Sequence, residues 1–264
     1  MRAALIALAL LATPAWAEDG GRELCADRPG LGTPACTVAP GKLQIETGLA
    51  DWTRESDAEV RTDTVVWGDT VLRIGIDDAT EARVAWTPYG HVRERDRALH
   101  RTSRQSGIGD VTIGLRRNLH NPDGSGLSVA LQPSLALPVG GQAIGEGTWS
   151  ASLLVPLDFE LAEGIGLALT PEVDAAADAD RHGRHLAFGS VAGLSFDLGK
   201  AVTTSVEVEA FRDDDPSGHA TQVLGAFSVA WQPQDQLQLD AGLVAGLNRN
   251  SPDVEIAVGI VRRF

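Results

Sequence analysis

The residues whose chemistry would most directly indicate an enzyme are six histidines. They are His91, His100, His120, His182, His185 and His219. A serine hydrolase needs a serine and a histidine within hydrogen-bonding reach, with a third side chain to orient the ring. The sequence contains no recognisable Ser/His/Asn arrangement, so we predict no catalytic residue and no enzyme.

Two stretches carry residue types that bind metal ions. His182 and His185 are three residues apart, near Asp178 and Asp180, and a run of aspartates spans Asp213–Asp215. The first pattern could hold a transition metal and the second calcium. No cysteine or second histidine pair completes the first site, and acidic runs are usually solvated. We therefore interpret both stretches as solvated loops and predict no metal and no cofactor.

The chain begins with the three parts of a secretory signal peptide, in order. Arg2 supplies the positive charge, Ala3 to Ala12 form an apolar core, and Ala15-Trp16-Ala17 is a small-x-small cleavage site. A membrane-spanning helix would need about 20 apolar residues, more than this stretch offers. We predict that residues 1–17 are cleaved and that the mature protein is exported.

Export gives a meaning to the two cysteines, Cys25 and Cys36, which follow the leader in a stretch rich in Gly and Pro. In an oxidising compartment, two cysteines that enclose a short loop typically form a disulfide. We predict a Cys25–Cys36 disulfide that pins an aperiodic N-terminal segment, residues 18–41.

The net charge limits the partners. It is −14 for the whole chain, and −15 once Arg2 leaves with the leader. An acidic protein of this kind is repelled by nucleic acids and by anionic membrane surfaces. After the leader, no apolar run is long enough for a transmembrane helix. Any membrane crossing must use a closed barrel, because only helices and closed barrels satisfy the backbone in lipid.

From Lys42 to Phe264 apolar and polar residues alternate, which is the period of β-strands. The last strand shows it well: Ile256, Val258 and Ile260 share one face, and Glu255 lies on the other. We predict about twelve strands, an even number as bacterial barrels require. Their bounds are 42–52, 62–76, 81–92, 108–119, 127–139, 148–161, 165–175, 185–198, 201–211, 220–232, 236–248 and 253–264.

The connections between these strands alternate in length. Short turns are expected at 77–79, 121–126, 163–164, 199–200 and 233–235, and longer loops at 53–61, 93–107, 140–147, 176–184, 212–219 and 248–252. Short periplasmic turns and long external loops are typical of transmembrane barrels. This rhythm predicts that both termini are periplasmic. It divides the chain into a periplasmic segment, residues 18–41, and a barrel, residues 42–264.

Charged residues on the inward face distinguish a barrel from a sandwich. The candidates for the barrel interior are Glu46, Asp69, Arg73, Glu81, Arg83, Asp110, Arg116, Asp158, Glu160, Glu172, Asp174, Asp197, Glu207, Glu209, Asp240, Glu255 and Arg263. In a sandwich they would enter a dry core at a large cost in free energy, whereas a barrel interior is wet. We predict an all-β, up-and-down antiparallel transmembrane barrel. The inward charges either set the selectivity of an open pore or form a salt-bridged plug.

Three stretches together resemble one known family. They are Asp27-Arg-Pro with the following Gly-Lys-Leu-Gln-Ile-Glu46, Ser106-Gly-Ile-Gly-Asp110, and Gln238-Leu-Asp-Ala-Gly-Leu243 with Asn250-Ser-Pro-Asp253 and the final Arg-Phe264. The family is the outer-membrane group named "putative MetA-pathway of phenol degradation", described as transporters. The resemblance implies a barrel and passage of small organic molecules. The terminal Phe264 also resembles the C-terminal signal read by the barrel-assembly machinery of bacterial outer membranes.

The function predicted from these observations is an outer-membrane channel for passive passage of small molecules, with hydrophobic or aromatic compounds as candidates. One alternative is a closed structural barrel whose external loops 93–107 and 212–219 bind a partner, and another is a barrel hydrolase. The expected partners are outer-membrane lipid, lipopolysaccharide, the assembly machinery and a small-molecule solute, and no nucleic acid.

Overall fold

The computed structural model describes residues 22–264, and every named element in this range is a β-strand. The strands are β1 Leu43–Ser56, β2 Val60–Trp67, β3 Asp69–Asp77, β4 Thr80–Trp86, β5 Tyr89–Asp96, β6 Arg101–Gly107, β7 Val111–His120, β8 Leu127–Leu137, β9 Ser150–Leu154, β10 Leu157–Ala162, β11 Ile165–Ala177, β12 Arg184–Asp197, β13 Val202–Asp213, β14 Ala220–Gln234, β15 Leu237–Gly246 and β16 Val254–Arg263. None of the described residues belongs to a helix long and apolar enough to cross a membrane.

These segments form twelve long strands, because four long strands are each interrupted once. β2 and β3, for example, both pair with β1, on either side of Gly68, whose φ of 72° turns the chain. β4 with β5, β6 with β7, and β9 with β10 are the other three. The last strand pairs with the first, from Gln44 opposite Arg263 to Arg54 opposite Val254. The sheet is a closed antiparallel barrel, as the sequence predicted.

The outer surface carries the apolar half of each strand. On β3, Ile74 is 50% exposed whereas its neighbour Arg73 is fully buried, so the side chains alternate between the outer surface and the interior. Large aromatic side chains stand exposed toward the long loops, such as Tyr89 and Trp149, and toward the short turns, such as Trp231. An outward apolar band with aromatic residues at both edges is the surface of an outer-membrane barrel.

The prediction of a long loop is wrong at two places in the chain. Residues 93–107 contain the end of β5 and the whole of β6, joined by a tight turn, and residues 53–61 are mostly the extended ends of β1 and β2. Strand β6 reads Arg-Thr-Ser-Arg-Gln-Ser-Gly and is exposed almost throughout. It pairs with β5 alone, beyond the apolar band. Both of its faces meet water, so it has no hydrophobic alternation to reveal it.

The aperiodic N-terminal segment lies inside the barrel. Its residues 22–41, called the plug below, hydrogen-bond to inward side chains from β1, β3, β7, β10, β13 and β16. It occupies the end that carries the short turns, where Thr37 N–H bonds to Pro122 O. The sequence analysis predicted a periplasmic segment over residues 18–41, and the described part of it, residues 22–41, contacts the interior of the barrel. The predicted signal peptide, residues 1–17, lies outside the described residues.

Candidate functional site

The most deeply buried side chains of the interior are charged. Arg73, with no exposed side-chain surface, lies 2.7 Å from Glu46 and 2.8 Å from Glu81. Arg116, equally buried, lies 2.8 Å from Asp27 of the plug, and Arg83 also contacts Asp27. Strand register explains the group, called the arginine cluster below: Arg73 is opposite Arg83, and Glu81 is opposite Arg116. Buried charges persist only when they are paired and hydrogen-bonded, as these are.

Carboxylates of the barrel wall satisfy the backbone of the plug. Glu46 accepts the N–H groups of Asp27 and Arg28, and Glu207 accepts those of Leu31 and Gly32. Asp158 and Glu81 likewise accept the N–H groups of Ala35 and Val38. Because a buried segment without secondary structure must find partners for its N–H groups elsewhere, these carboxylates hold the plug in place.

Inward arginines bind the plug from its carbonyl side. Arg73 donates to Cys25 O at 2.6 Å, and Arg116 donates to Cys36 O at 3.0 Å. These two plug residues are joined by the predicted disulfide, with Cα atoms 5.9 Å apart. Each end of the cystine is therefore fixed by one arginine of the cluster.

Asp27 is the acidic centre of the plug. Burial opposes its ionisation, but the guanidinium groups of Arg116, Arg73 and Arg83 outweigh burial and hold the pKa of Asp27 well below its usual range. The carboxylate therefore remains charged at neutral pH and pairs with the cluster.

Small residues on the wall let the plug approach closely. A Cβ added to Gly75 would lie 2.1 Å from Ala39 O, and one added to Gly259 would lie 2.2 Å from Arg28 Nε. Arg28 in turn reaches Asp240 at 3.2 Å. Gly75 is thus needed for the plug backbone to sit against β3, whereas Gly259 leaves room for the Arg28 side chain against β16.

The half of the interior toward the long loops has a different electrostatic character. Asp51 and Glu255 lie close together there, and so do Glu172 and Asp174, with Glu209 nearby. Within residues 22–264, none of these five carboxylates forms a salt bridge with an arginine, lysine or histidine. They form an acidic lining without salt bridges, in contrast to the arginine cluster, and Arg28 of the plug is the nearby cation at Asp51 and Glu255.

Two adjoining cavities lie between the plug and the wall. The larger, about 640 Å³, is lined by the turn residues Asp123–Ser125, and by Glu160, Gly166 and Asp197. The smaller, about 280 Å³, extends to Glu207. Both are lined by Leu24, Asp158, Ala168 and Ser195. The plug therefore leaves space along β10 to β14, where the inward residues are small.

The remaining predicted residues have several environments. Asp110 accepts the N–H groups of Gly140 and Glu146, both at 2.8 Å, and so fixes the loop between β8 and β9. Asp69 accepts a hydrogen bond from Thr87 at 2.6 Å. Arg263, 2% exposed, donates to the backbone of the plug.

Sequence reasoning missed the polar residues that support the cluster. Gln44 and Gln132 are buried and bond to Cys25 O and to Arg116. Asn118 donates to Ala35 O at 2.9 Å. All three occupy inward positions of the alternating pattern, so period two could have placed them in the interior, but only the plug explains their role.

One serine–histidine contact bears on the hydrolase alternative. His91 Nδ1 lies 2.8 Å from Ser106 Oγ on the exposed β5–β6 hairpin. In the described part of the chain, no carboxylate hydrogen-bonds to His91. The pair therefore lacks the third residue that would orient the ring in a triad.

The sequence matches one family over nearly its whole length. Residues 26–264 fit the family described as "Putative MetA-pathway of phenol degradation". The chain belongs to this family. The resemblance predicted from the three short stretches is confirmed, and the family match includes most of the plug as well as the barrel.

Solved structures share the barrel fold of this family member at low identity. The KdgM porin is 9% identical, with a TM-score of 0.50, covering 84% of this chain and 99% of that chain. The translocator domain of the autotransporter NalP from Neisseria meningitidis is 12% identical, with a TM-score of 0.53, covering 86% and 90%. The β domain of the Bordetella autotransporter BrkA is 14% identical, with a TM-score of 0.50, covering 86% and 100%. No curated protein matches the sequence.

Proposed function

We propose that this protein is an outer-membrane channel through which small molecules pass passively. The observation that carries the proposal is the pair of adjoining cavities, which extend beside the plug from the short turns to Glu207. A solute could move along this wall while the plug stays in place, because Gly166, Ala168 and Gly193 leave room on the inward face.

The chemistry of the lining indicates which solutes to test. The smaller cavity is bordered by Ser195, Ser205, Ser228, Gln232 and Gln238. Hydroxyl and amide groups suit a small solute with a hydrogen-bonding group. Because the family description refers to phenol degradation, small phenolic and other aromatic compounds are the first candidates.

The acidic lining adds a preference by charge. Asp51, Glu255, Glu172, Asp174 and Glu209 would attract cations and repel anions on the long-loop side. We therefore expect neutral and cationic solutes to pass more readily than anionic ones.

The plug also favours a second function, a closed barrel that binds a partner through its external loops. Its hydrogen bonds reach the wall on many sides, from Glu46 to Glu207 and Arg263. This candidate predicts a barrel that inserts into membranes but never conducts.

Conductance of the purified protein in planar bilayers distinguishes the two functions. Ala168 borders both cavities, so Ala168→Trp should reduce the wild-type conductance several-fold. The matched control is Leu169→Trp, whose side chain points to the opposite, outer face of β11 and which should conduct as the wild type does. Wild-type protein that inserts but does not conduct would contradict the channel and favour the closed barrel. Equal conductance of the two variants would contradict the proposed route.

Phenol entry is measured separately with liposomes. Vesicles containing the wild-type channel should take up phenol faster than vesicles containing Ala168→Trp protein. Equal rates would contradict passage of phenol by this route.

A further inference from the structure

A cluster of ligand-type side chains lies at the long-loop end, away from the cavities and the plug. His185, at the start of β12, brings its Nδ1 atom 2.9 Å from Asp178 Oδ1 and 3.5 Å from Asp215 Oδ2. Asp178 belongs to the loop between β11 and β12, and Asp215 to the loop between β13 and β14. Pairing of β12 with β13, which places Ala187 opposite Asp213, brings the two loops together.

The separations of His185 Nδ1 from the two carboxylate oxygens fit one bound metal ion. Ligands at about 2.0–2.2 Å from a tetrahedral ion are about 3.3 Å apart. The two distances from His185 Nδ1 to the carboxylate oxygens lie on either side of that value. The three ligand atoms all lie within 4.8 Å of one another.

The side chain of His185 is buried, whereas a histidine in a solvated loop would be exposed. Its side chain is only 5% exposed, and its Nε2 atom has no hydrogen-bond partner although it lies 2.9 Å from Asp213 Oδ1. Metal-binding histidines usually direct the second ring nitrogen at a carboxylate, which fixes the ring and its tautomer. Asp213 stands where such a carboxylate is needed, and a small rotation would align the hydrogen bond.

The carboxylate of Asp215 is also held in place. Its Oδ2 atom accepts the Ala179 N–H at 2.7 Å, and its Oδ1 atom accepts the Ser217 N–H at 2.6 Å. One Oδ2 lone pair therefore remains directed at His185. Hydrogen bonds of this kind orient ligating carboxylates in known metal sites.

We propose that His185, Asp178 and Asp215 bind a divalent transition-metal ion of the zinc class, with Asp213 as the positioning residue for the imidazole. One nitrogen and two oxygen ligands suit zinc, whereas calcium prefers a shell made of oxygens alone. The ion would join the loop after β11 to the loop after β13. The proposed site would join the two stretches that the sequence analysis interpreted as separate solvated loops.

Isothermal titration of the chelator-treated, detergent-solubilised protein with ZnCl2 tests the site, with CaCl2 as the second arm. We expect one zinc ion per chain, bound more tightly than calcium. His185→Gln and Asp178→Asn should each weaken zinc binding at least tenfold, and Asp213→Asn should weaken it about 10- to 100-fold. The matched control is His182→Gln, because this neighbouring ring is 90% exposed and should leave zinc affinity unchanged.

Other outcomes would overturn the proposal. Absence of zinc binding would mean that His185 acts as a protonated partner of the aspartates, and tighter calcium binding would contradict the assigned metal class. Zinc binding that survives His185→Gln would place the ion elsewhere. Slower migration of the boiled than of the unboiled sample on a gel would show that each variant is folded, so that lost binding is not caused by misfolding.

Discussion

The two halves of the barrel interior both contain inward charges but use them differently. Toward the short turns, Glu46, Glu81 and Asp27 are paired with buried arginines or with the backbone of the plug. Toward the long loops, Glu172 and Glu255 interact mainly with other carboxylates. The comparison teaches that inward charge in a barrel has two distinct uses: holding a segment in place, and setting the electrostatic potential of an open space.

Removing an arginine from the arginine cluster, at the end with the short turns, should have the largest effect on the free energy of unfolding. Arg116→Met removes one of the three arginines that pair with Asp27, the others being Arg73 and Arg83. Losing one member of a buried charge pair typically costs about 3–5 kcal/mol. Its neighbour Arg117 is 55% exposed and pairs with Asp77, so Arg117→Met should cost only about 0–1 kcal/mol. Urea unfolding of both variants in the same detergent measures the difference. Equal costs would mean that the arginine cluster does not stabilise the folded protein.

The disulfide should also help to hold the plug in the end of the barrel with the short turns. A cross-link that closes a 15-residue loop stabilises by about 3 kcal/mol, and the loop here, with a separation of 11, should give slightly less. In a Cys25→Ser/Cys36→Ser double variant, the plug should be cleaved faster by added protease while the barrel stays resistant. Unchanged cleavage would mean that the wall contacts alone hold the plug.

A substitution in the acidic lining, toward the long loops, should have the smallest effect on the free energy of unfolding, and an effect of the opposite sign. Glu172→Gln removes a charge from a carboxyl pair without cationic partner, so unfolding free energy should stay level or rise by up to about 1 kcal/mol. Cation selectivity, read from the reversal potential across a KCl gradient, should fall. Glu94→Gln, on the exposed β5 strand, is the control and should change neither quantity. A clear loss of stability in Glu172→Gln would erase the distinction between the halves.

The parts of the fold that could be predicted are those with one face in lipid and one in water. Alternation along Leu43–Ser56 or Val254–Arg263 reports that environment directly, so the strand count and closure follow from the sequence. Strand β6 was not predicted because both of its faces are in water. The position of the plug escaped because an aperiodic segment takes its hydrogen-bond partners, such as Glu207, from far along the chain.

For the candidate sites, the sequence predicted which residues face the interior but not which of them come together. Inward positions such as Arg73 and Glu46 were predicted by period two, but that period cannot tell a residue that binds the plug from one that borders open space. The grouping of Asp178, His185 and Asp215 depends on which loops the strand register brings together. That information is not local in the sequence.

The central claim is that the N-terminal segment lies in the barrel with its N–H groups bonded to wall carboxylates. Hydrogen exchange of the folded protein in detergent tests it most directly, because bonded, buried amides exchange slowly. We predict strong protection at Leu31, Ala35 and Val38, and fast exchange at the exposed loop residues Gly141 and Gln142. Exchange of the plug amides as fast as that of the loop would contradict the account.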